Sequence, residues 1–357
     1  MFPSPTLRES GWRMPAEWEA HQATWMSWPA RKDTSFPDGD HHDRVLPVFI
    51  QMIEAITTGE RLYLNCTDAG DRRFVEQHVS GEAAKNLVIT EIPAVYPWCR
   101  DHGAIFVVND ETGELAATSW QYNAWGGKYP EAFPDTNIST AMAHLLGVPE
   151  FDTGIVLEGG SIDVNGCGTV LTTESCLLNK NRNPHLTKRD IERYLMEYLG
   201  QDKVLWLHDG IVGDDTDGHI DDITRFINAE SVVTVIEEDE SDPNFTPLMD
   251  NYDRLCRMTT EDDSSLNIIT LPMPKPVITD GIRLPASYAN FYIFNEAVLV
   301  PVFNDPNDEK ALHKLQECFP DRKIIAVESR ALVWGLGSFH CLTQQVPAAR
   351  TAHHSLR

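Results

Sequence analysis

The alternation of strand-like and helix-like segments along almost the whole chain is the feature that most constrains its fold. Runs of aliphatic and β-branched residues such as Ala297–Val302 are typical of buried strands. Arg44–Thr57 carries apolar residues at helical spacing, and Asp250–Met258 is also predicted to be helical. The strand–helix–strand unit recurs roughly every 60 to 70 residues, which hints at an internally repeated α/β architecture. We predict one α/β domain over residues 1–357, with residues 348–357 as a frayed tail.

Composition and charge exclude several classes of protein. The 357 residues are 42% hydrophobic and 23% charged, as is usual for a soluble globular protein. No apolar run approaches the roughly 18 residues that a membrane-spanning helix needs. The N-terminus has no basic segment followed by an apolar core, so we expect no signal peptide and a cytoplasmic location. A net charge of −25 disfavours binding to nucleic acid or to anionic membranes and would attract a cationic substrate.

The seven cysteines follow no pattern of disulfide or zinc ligation. Their number is odd, and the sequence contains neither a CxxC pair nor an HExxH motif, so we expect no disulfide framework and no metal site of zinc type. Six of them are expected to be small buried side chains: Cys66, Cys99, Cys167, Cys176, Cys256 and Cys318. The seventh, Cys341, follows the glycine-containing segment Gly335–His340, whose flexible backbone is suited to presenting a thiol in a cleft.

Four polar clusters interrupt the regular pattern at loop-to-strand junctions flanked by glycine. They are Trp98–Gly103, Leu157–Ser161, Asp214–Asp222 and the segment that contains Cys341. Taken singly, each has an ordinary interpretation: Asp101 caps a turn, Glu158 is a loop carboxylate, and the acidic run is a solvated turn that lacks the ligand spacing of a calcium loop. Together they supply one thiol, one imidazole from His219 and several carboxylates, on loops that a rigid scaffold can hold in place.

This set of side chains suits chemistry on a guanidinium group. Carboxylates bind a planar guanidinium through paired, charge-assisted hydrogen bonds, and the bound cation lowers the cost of forming a thiolate beside it. Attack of that thiolate on the guanidinium carbon would release ammonia, and one histidine can serve as acid and then as base. Two other classes stay open: a guanidine- or polyamine-binding protein without catalysis, and a hydrolase with a metal bound by Asp214–Asp222.

The motifs along the chain resemble those of agmatine deiminases, which belong with arginine deiminases and bacterial peptidylarginine deiminases to a superfamily of guanidino-modifying enzymes. The resemblance covers nearly the whole chain, in the same order. The matching segments are Met14–Trp18, Trp25–Pro29, Trp98–Gly103, Asn123–Gly127, Leu157–Ile162, Leu171–Glu174, Asn179–Pro184, Asp217–Asp221, Val300–Phe303 and His340–Gln345.

The resemblance implies a pentein fold, which is a pseudo-fivefold α/β propeller of ββαβ-type repeats with the active site in its central channel. It implies hydrolytic deimination, most directly of agmatine to N-carbamoylputrescine and ammonia, in the biosynthesis of putrescine. Cys341 is then the nucleophile and His219 the acid and base, while Glu158 holds the guanidinium and assists His219. No metal or organic cofactor is implied, because the thiol carries out the difficult step.

The same resemblance assigns four residues to substrate binding. Asp101 and Asp221 are the two clamps on the guanidinium, Trp98 packs along the aliphatic stem, and Asp215 faces the distal amine. The expected partner is a cationic guanidino compound; the oligomeric state is left open, and a homo-oligomer is allowed. Arginine or peptidylarginine as substrate, and amidino transfer to an amine in place of hydrolysis, remain alternatives.

The chain departs from the family pattern around the nucleophile. The family loop usually has three consecutive glycines followed by Asn-Ile-His-Cys, whereas this chain has Leu336 in place of a glycine and Phe339 before His340. Both substitutions are expected to narrow the loop. Arg100 and Arg182 are possible partners for the carboxylate of arginine, but we interpret both as structural.

Overall fold

The computed structural model describes residues 6–30, 35–36 and 39–349. The strands in that part of the chain are β1 Trp12–Arg13, β2 His21–Ser27, β3 Arg61–Asn65, β4 Leu87–Thr90, β5 Ile105–Asn109, β6 Glu114–Gln121, β7 Glu150–Val156, β8 Asp163–Val164, β9 Thr169–Thr173, β10 Lys203–Leu207, β11 Thr224–Asn228, β12 Ser231–Ile236, β13 Asn267–Pro272, β14 Ile278–Thr279, β15 Ile282–Arg283, β16 Tyr292–Ile293, β17 Ala297–Val302, β18 Lys323–Glu328 and β19 Thr343–Pro347.

Helices separate many of these strands. They are α1 Gly39–Ile56, α2 Ala69–His78, α3 Gly81–Asn86, α4 Cys99–His102, α5 Ala124–Gly127, α6 Ile138–Leu146, α7 Glu174–Leu177, α8 Lys188–Leu199, α9 Phe245–Leu255, α10 Asp308–Cys318, α11 Arg330–Val333 and α12 Phe339–Leu342, with 3₁₀ segments at Pro130–Asn137, Gly159–Ser161 and Ile220–Asp222. The mixed α/β class is confirmed. Within the described residues, no helix combines the length and the apolar character that crossing a membrane requires.

The strands of the described residues form five sheets and one separate hairpin. The sheet orders are β1-β5-β6-β7, β10-β9-β8, β11-β12-β13, β16-β17-β18 and β19-β2-β3-β4, and the hairpin pairs β14 with β15. Each sheet contains an antiparallel pair whose second strand is joined in parallel to a third, as in β16-β17-β18. A helix connects the parallel strands, as such a crossover requires, and the five connecting helices are α1, α6, α8, α9 and α10. The pairing therefore repeats a ββαβ unit in each sheet.

One of these units is completed by the two ends of the described chain. Its first strand is β19, which pairs antiparallel with β2 so that Thr343 lies opposite Met26 and Val346 opposite Ala23. β2 then pairs in parallel with β3 across α1. Trp25 and Met26 of β2 are fully buried. The C-terminal segment that carries Cys341 is thus anchored in the N-terminal sheet.

Some of the helices and strands agree with those predicted from the sequence, and others differ from them. The predicted helix Arg44–Thr57 is α1, and the predicted strand Ala297–Val302 is β17. The helix predicted at Asp250–Met258 is displaced: α9 runs from Phe245 to Leu255, because Leu248, Asn251 and Leu255 form its buried face. β6 was not predicted, since alanines and polar residues interrupt its apolar pattern. Most of the predicted tail lies outside the described residues.

The prediction that six cysteines are buried is partly wrong. Cys66, Cys99 and Cys176 are buried and Cys318 is half-buried, but Cys167 and Cys256 are exposed. Cys167 lies in a tight turn in which the side chain of Asn165 accepts hydrogen bonds from the backbone N–H groups that follow it. Such a turn is held by its backbone and leaves the thiol at the surface.

Candidate active site

The candidate site is assembled from equivalent places in the ββαβ units. A single helical turn stands immediately before the first strand of four units: α4 before β5, Gly159–Ser161 before β8, Ile220–Asp222 before β11, and α12 before β19. These turns carry or adjoin the four polar clusters, which were predicted as loops. The turns therefore bring side chains that are far apart in sequence to one place.

Cys341 is buried at this place and is held by an asparagine that the sequence analysis did not single out. Asn290 Nδ2 donates a hydrogen bond to Cys341 Sγ at 3.0 Å. The Asn290 side-chain oxygen accepts from the backbone N–H of His340 at 3.1 Å and from that of Cys341 at 3.4 Å. These contacts fix the orientation of the amide, because its oxygen must face the two backbone donors. Asn290 precedes β16 and so represents the fifth unit at the site.

Buried charged groups hold His340, the residue next to Cys341, in place. His340 Nδ1 lies 2.7 Å from Asp221 Oδ2, and its Nε2 lies 2.9 Å from Glu17 Oε2. Glu17 also pairs with Arg100 at 3.1 Å and with Arg225 at 3.0 Å. Asp221 Oδ2 is 3.5 Å from Cys341 Sγ, while Asp221 Oδ1 has no hydrogen-bond partner among the described residues. Asp221 is therefore fixed by one oxygen and has the other available for a cation.

His219 and Asp101 face each other across a glycine. His219 Nδ1 lies 3.7 Å from Asp101 Oδ1, which accepts a hydrogen bond from the backbone N–H of Gly160 at 3.0 Å. Trp125 Nε1 donates to the other oxygen of Asp101 at 2.9 Å. A Cβ on Gly160 would stand 2.6 Å from His219 Nδ1 and 2.8 Å from Asp101 Oδ1. Only glycine leaves room for the two side chains to approach.

Glu158 is completely buried beside this pair. Its Oε1 accepts from Arg182 Nε at 2.6 Å, and Arg182 Nη1 also donates to Asp217 Oδ2 at 2.8 Å. Glu158 Oε2 has no hydrogen-bond partner in the described part of the chain. Burying an unpaired carboxylate oxygen is costly, so this atom has the character of a ligand-binding group.

The carboxylates strongly affect the protonation of the thiol and the imidazole. Burial and the charges of Asp221, Asp222 and Asp101 hold the pKa of Cys341 well above its usual range. Burial would lower the pKa of His219, but Asp101, Cys176 and Asp221 raise it well above its usual value. Without a bound cation, the site therefore favours a neutral thiol beside a protonated imidazole.

The two proposed clamps titrate differently. Burial raises the pKa of Asp101 to about 6, against the opposing charge of His219. Burial also acts to raise the pKa of Asp221, but the hydrogen bond and charge of His340 outweigh it, so that the pKa of Asp221 is lowered. A guanidinium cation between the two would favour the charged form of both, and it would make a thiolate at Cys341 less costly.

A cavity of about 330 Å³ opens onto Cys341. Trp98, Asp101, Asp215 and Cys341 line it. Tyr129 donates its hydroxyl to Asp215, and Lys128 Nζ lies 3.4 Å from Asp215 Oδ1. The other lining residues are largely apolar or aromatic: Ser35, Tyr96, Trp125, Tyr129, Thr216, Thr279, Ile282, Leu284, Trp334, Gly335, Leu336 and Gly337. Such a cavity suits a small molecule with a cationic head and an aliphatic stem.

All seven residues singled out from the sequence lie at or beside this cavity. Cys341, His219, Glu158, Asp101 and Asp221 converge at its inner end, through the contacts described above. Trp98 and Asp215 line it.

Comparison with known proteins assigns the family. A family model described as Porphyromonas-type peptidyl-arginine deiminase matches residues 13–347. The chain belongs to this family.

Named relatives cover almost all of the chain. A relative from Marinomonas sp. (strain MWYL1), assigned provisionally as an agmatine deiminase, is 38% identical and covers 97% of each chain. The structure of agmatine deiminase from Enterococcus faecalis is 34% identical, with a TM-score of 0.89 over 96% of this chain and 98% of that one. A cysteine-to-serine variant of C. jejuni agmatine deiminase with substrate bound is 31% identical, with a TM-score of 0.86 over 95% of this chain and 97% of that one.

Leu336 and Phe339, which were expected to narrow the loop before Cys341, lie in different surroundings. Leu336 adopts a left-handed backbone with φ of 73° and lines the cavity. A non-glycine residue pays a conformational cost of about 1 kcal/mol there. Phe339 is fully buried in the core, so it does not narrow the cavity directly.

We expect Asn290→Ala to lower kcat/KM by about 10- to 100-fold, because a hydrogen bond to a charged group contributes roughly 1.5–3 kcal/mol. The variant loses the amide donor to Cys341 Sγ, so the thiolate should form at higher pH. The measurement is the pH profile of kcat/KM together with the rate of alkylation by iodoacetamide.

Asn251→Ala is the matched control. Asn251 is also a buried asparagine with contacts to backbone atoms, but it binds His208 and Asp209 away from Cys341. It should affect stability and leave the pH profile in place. An Asn290→Ala enzyme with an unchanged alkylation profile would show that the amide does not stabilise the thiolate.

Proposed function

We propose that this chain hydrolyses agmatine to N-carbamoylputrescine and ammonia through a covalent adduct on Cys341. The observation that supports this most directly is the convergence of a thiol, an imidazole and three carboxylates at the inner end of one small cavity. Its family membership and its similarity to named agmatine deiminases favour the same reaction.

In the proposed first half-reaction, Asp101 and Asp221 bind the guanidinium. Glu158 Oε2 accepts a hydrogen bond from one of the guanidinium N–H groups. The bound cation offsets the carboxylate charge around Cys341, which gives up its proton to solvent and attacks the central carbon of the guanidinium. His219 donates its proton to the departing nitrogen, which leaves as ammonia. The product is a positively charged amidino-thioether on Cys341.

In the second half-reaction, His219 acts as a base on a water molecule that attacks the same carbon. The carbon–sulfur bond then breaks, which regenerates the thiolate of Cys341, and the hydroxyl proton of the intermediate is released to solvent as the neutral ureido product forms. Asn290 Nδ2 donates to the sulfur when the thiolate forms and when it leaves. Amidino transfer would instead require the substituted nitrogen to leave as the stem amine, and a second amine would then attack the unsubstituted amidino-thioether in place of the water.

The cavity favours agmatine over arginine. The two arginines considered as partners for a carboxylate are already engaged, Arg100 with Glu17 and Arg182 with Glu158 and Asp217. Asp215, which also lines the cavity, would instead face the amine of agmatine. Lys128 contacts Asp215 and offsets part of its charge, which favours as a second candidate a guanidino compound with an uncharged distal end.

We further propose that the five ββαβ units stand around a pseudo-fivefold axis in one domain, with the cavity near that axis. The repeated strand pairing and the equivalent positions of the four helical turns and Asn290 support this arrangement.

The test of the function is ammonia release from agmatine, arginine and a peptide with an internal arginine, with Cys341→Ser as control. Release from agmatine that is lost in the variant is expected. Release from another substrate would change the assigned substrate. Consumption of agmatine with release of putrescine instead of ammonia, only in the presence of an added amine, would indicate amidino transfer. Inactivation by a chelator instead of iodoacetamide would contradict the thiol mechanism.

Asp215→Asn should raise KM for agmatine by about tenfold, because a charge-assisted hydrogen bond to the distal amine is lost. Butylguanidine, which has the same guanidinium and a similar stem but no amine, should be affected much less. The measurement is kcat and KM for both compounds, with Asp209→Asn, at an exposed aspartate outside the cavity, as control. Equal effects on both compounds would show that Asp215 does not bind the amine. They would favour the second candidate substrate, a guanidino compound with an uncharged distal end.

A further inference from the structure

Three donor groups behind the catalytic cavity have the composition of a transition-metal site. One donor atom each from Glu158, Cys176 and His219 lies within 4.8 Å of the others. All three side chains are buried. Carboxylate, thiolate and imidazole are the ligands that zinc takes in proteins, whereas calcium and magnesium prefer oxygen. The three residues come from separate segments, so no spacing motif reveals them.

The donor atoms are available. Glu158 Oε2 and both ring nitrogens of His219 have no oxygen or nitrogen partner within hydrogen-bond distance among the described residues. Buried polar atoms are normally paired, and a bound cation would satisfy Glu158 Oε2 and one of these ring nitrogens. Cys176 has no role in the proposed reaction, and its thiol already contacts the His219 imidazole as a third donor.

The residues around the three donors already orient them. Arg182 holds the other oxygen of Glu158 and also donates to the carbonyl of Thr216 at 3.0 Å. The hydroxyl of Thr173 accepts from the backbone N–H of Cys176 at 3.3 Å and donates to the carbonyl of Gly218, next to His219. Metal ligands are commonly supported by such contacts, which fix their orientation before the metal binds.

The surrounding charge also favours a cation. Asp101 Oδ1 lies 3.7 Å from His219 Nδ1, and Asp221 has an unpaired buried oxygen. These carboxylates would draw a divalent ion into the same region that receives a guanidinium.

We propose that Glu158, Cys176 and His219 bind Zn²⁺ or a similar divalent transition metal, and that this binding inhibits the enzyme. The thiol of Cys176 and the protonated imidazole of His219 each release one proton to solvent when they ligate the metal, and water completes a four-coordinate site. Metal-bound His219 and Glu158 are unavailable to the substrate. The inhibition rests on the proposed function, but the binding does not.

The first test uses Co²⁺ with the full-length Cys341→Ser variant, in which the nucleophile cannot supply a thiolate. We expect a thiolate-to-cobalt charge-transfer band in the near ultraviolet. Adding Cys176→Ser should abolish the band and weaken binding by at least about 100-fold, because a ligand is lost. Adding Cys66→Ser, at a buried cysteine outside the cluster, should leave the band in place.

A second variant, at another proposed ligand, tests the site independently of whether the Cys176→Ser variant folds. Glu158→Gln in the Cys341→Ser background should also weaken Co²⁺ binding, and Zn²⁺ should inhibit ammonia release by the unmodified enzyme. A band that requires Cys341, a band that persists without Cys176, or Co²⁺ binding that Glu158→Gln leaves unchanged would overturn the proposed site. Because the band needs no turnover, an enzyme inactive on agmatine would not by itself affect this result.

Discussion

Cys341→Ser is expected to abolish ammonia release, with a loss in kcat of at least about 10⁴-fold, and to retain binding of agmatine. A serine hydroxyl ionises far less readily than a thiol, and the carboxylates that hold the pKa of Cys341 well above its usual range would oppose a serine alkoxide even more. The guanidinium clamps are untouched by the change. Calorimetric titration with agmatine should therefore still show binding.

The matched control is Cys66→Ser, which replaces another buried thiol in the core. It should leave kcat within about threefold of the original value, since it removes no group from the cavity. A Cys341→Ser enzyme with near-normal turnover would exclude the covalent mechanism. A variant that is folded but no longer binds agmatine would place Cys341 in substrate recognition instead of catalysis.

Asp221→Asn is expected to lower kcat/KM by on the order of 10²- to 10³-fold. Removing one partner of a buried charge pair typically costs 2–5 kcal/mol, and Asp221 is both a proposed guanidinium clamp and the partner of His340. KM should rise because the clamp loses its charge. Steady-state kinetics with agmatine, and the affinity measured in the Cys341→Ser background, separate binding from catalysis.

Asp71→Asn serves as control for the loss of a buried carboxylate. Asp71 lies in α2, outside the cavity, and its replacement should change stability more than KM. Wild-type KM and kcat in Asp221→Asn would show that Asp221 is not a clamp. A fall in kcat with unchanged affinity would instead assign it to positioning of His340 and the nucleophile.

The sequence indicated the proposed catalytic side chains more clearly than the residues that position them. Cys341, His219 and the carboxylates stand in short motifs with glycine neighbours, so a pattern of residue types was enough to select them. Asn290 and Glu17 have no glycine neighbours, and neither was singled out as a site residue. Their contacts with Cys341 and His340 depend on how distant units meet, which local periodicity does not encode.

The same distinction applies to the secondary structure. α1 and β17 have clear apolar periodicity and were predictable. β2 was not, because it contains His21, Gln22 and Thr24 although most of the strand is buried. Its place is decided by pairing with β19 and β3 on its two sides. Equivalent positions ahead of the first strand of each unit could have pointed to Asn290, but only after the repeat itself was recognised.

The pairing of β19 with β2 has a consequence for how the protein becomes active during synthesis. Cys341 immediately precedes β19, whereas its histidine and carboxylate partners lie in earlier parts of the chain. A nascent chain still lacking β19 would already contain the cation-binding carboxylates but could not carry out the covalent step. In the proposed mechanism, catalytic activity would therefore begin only when β19 leaves the ribosome and docks against β2.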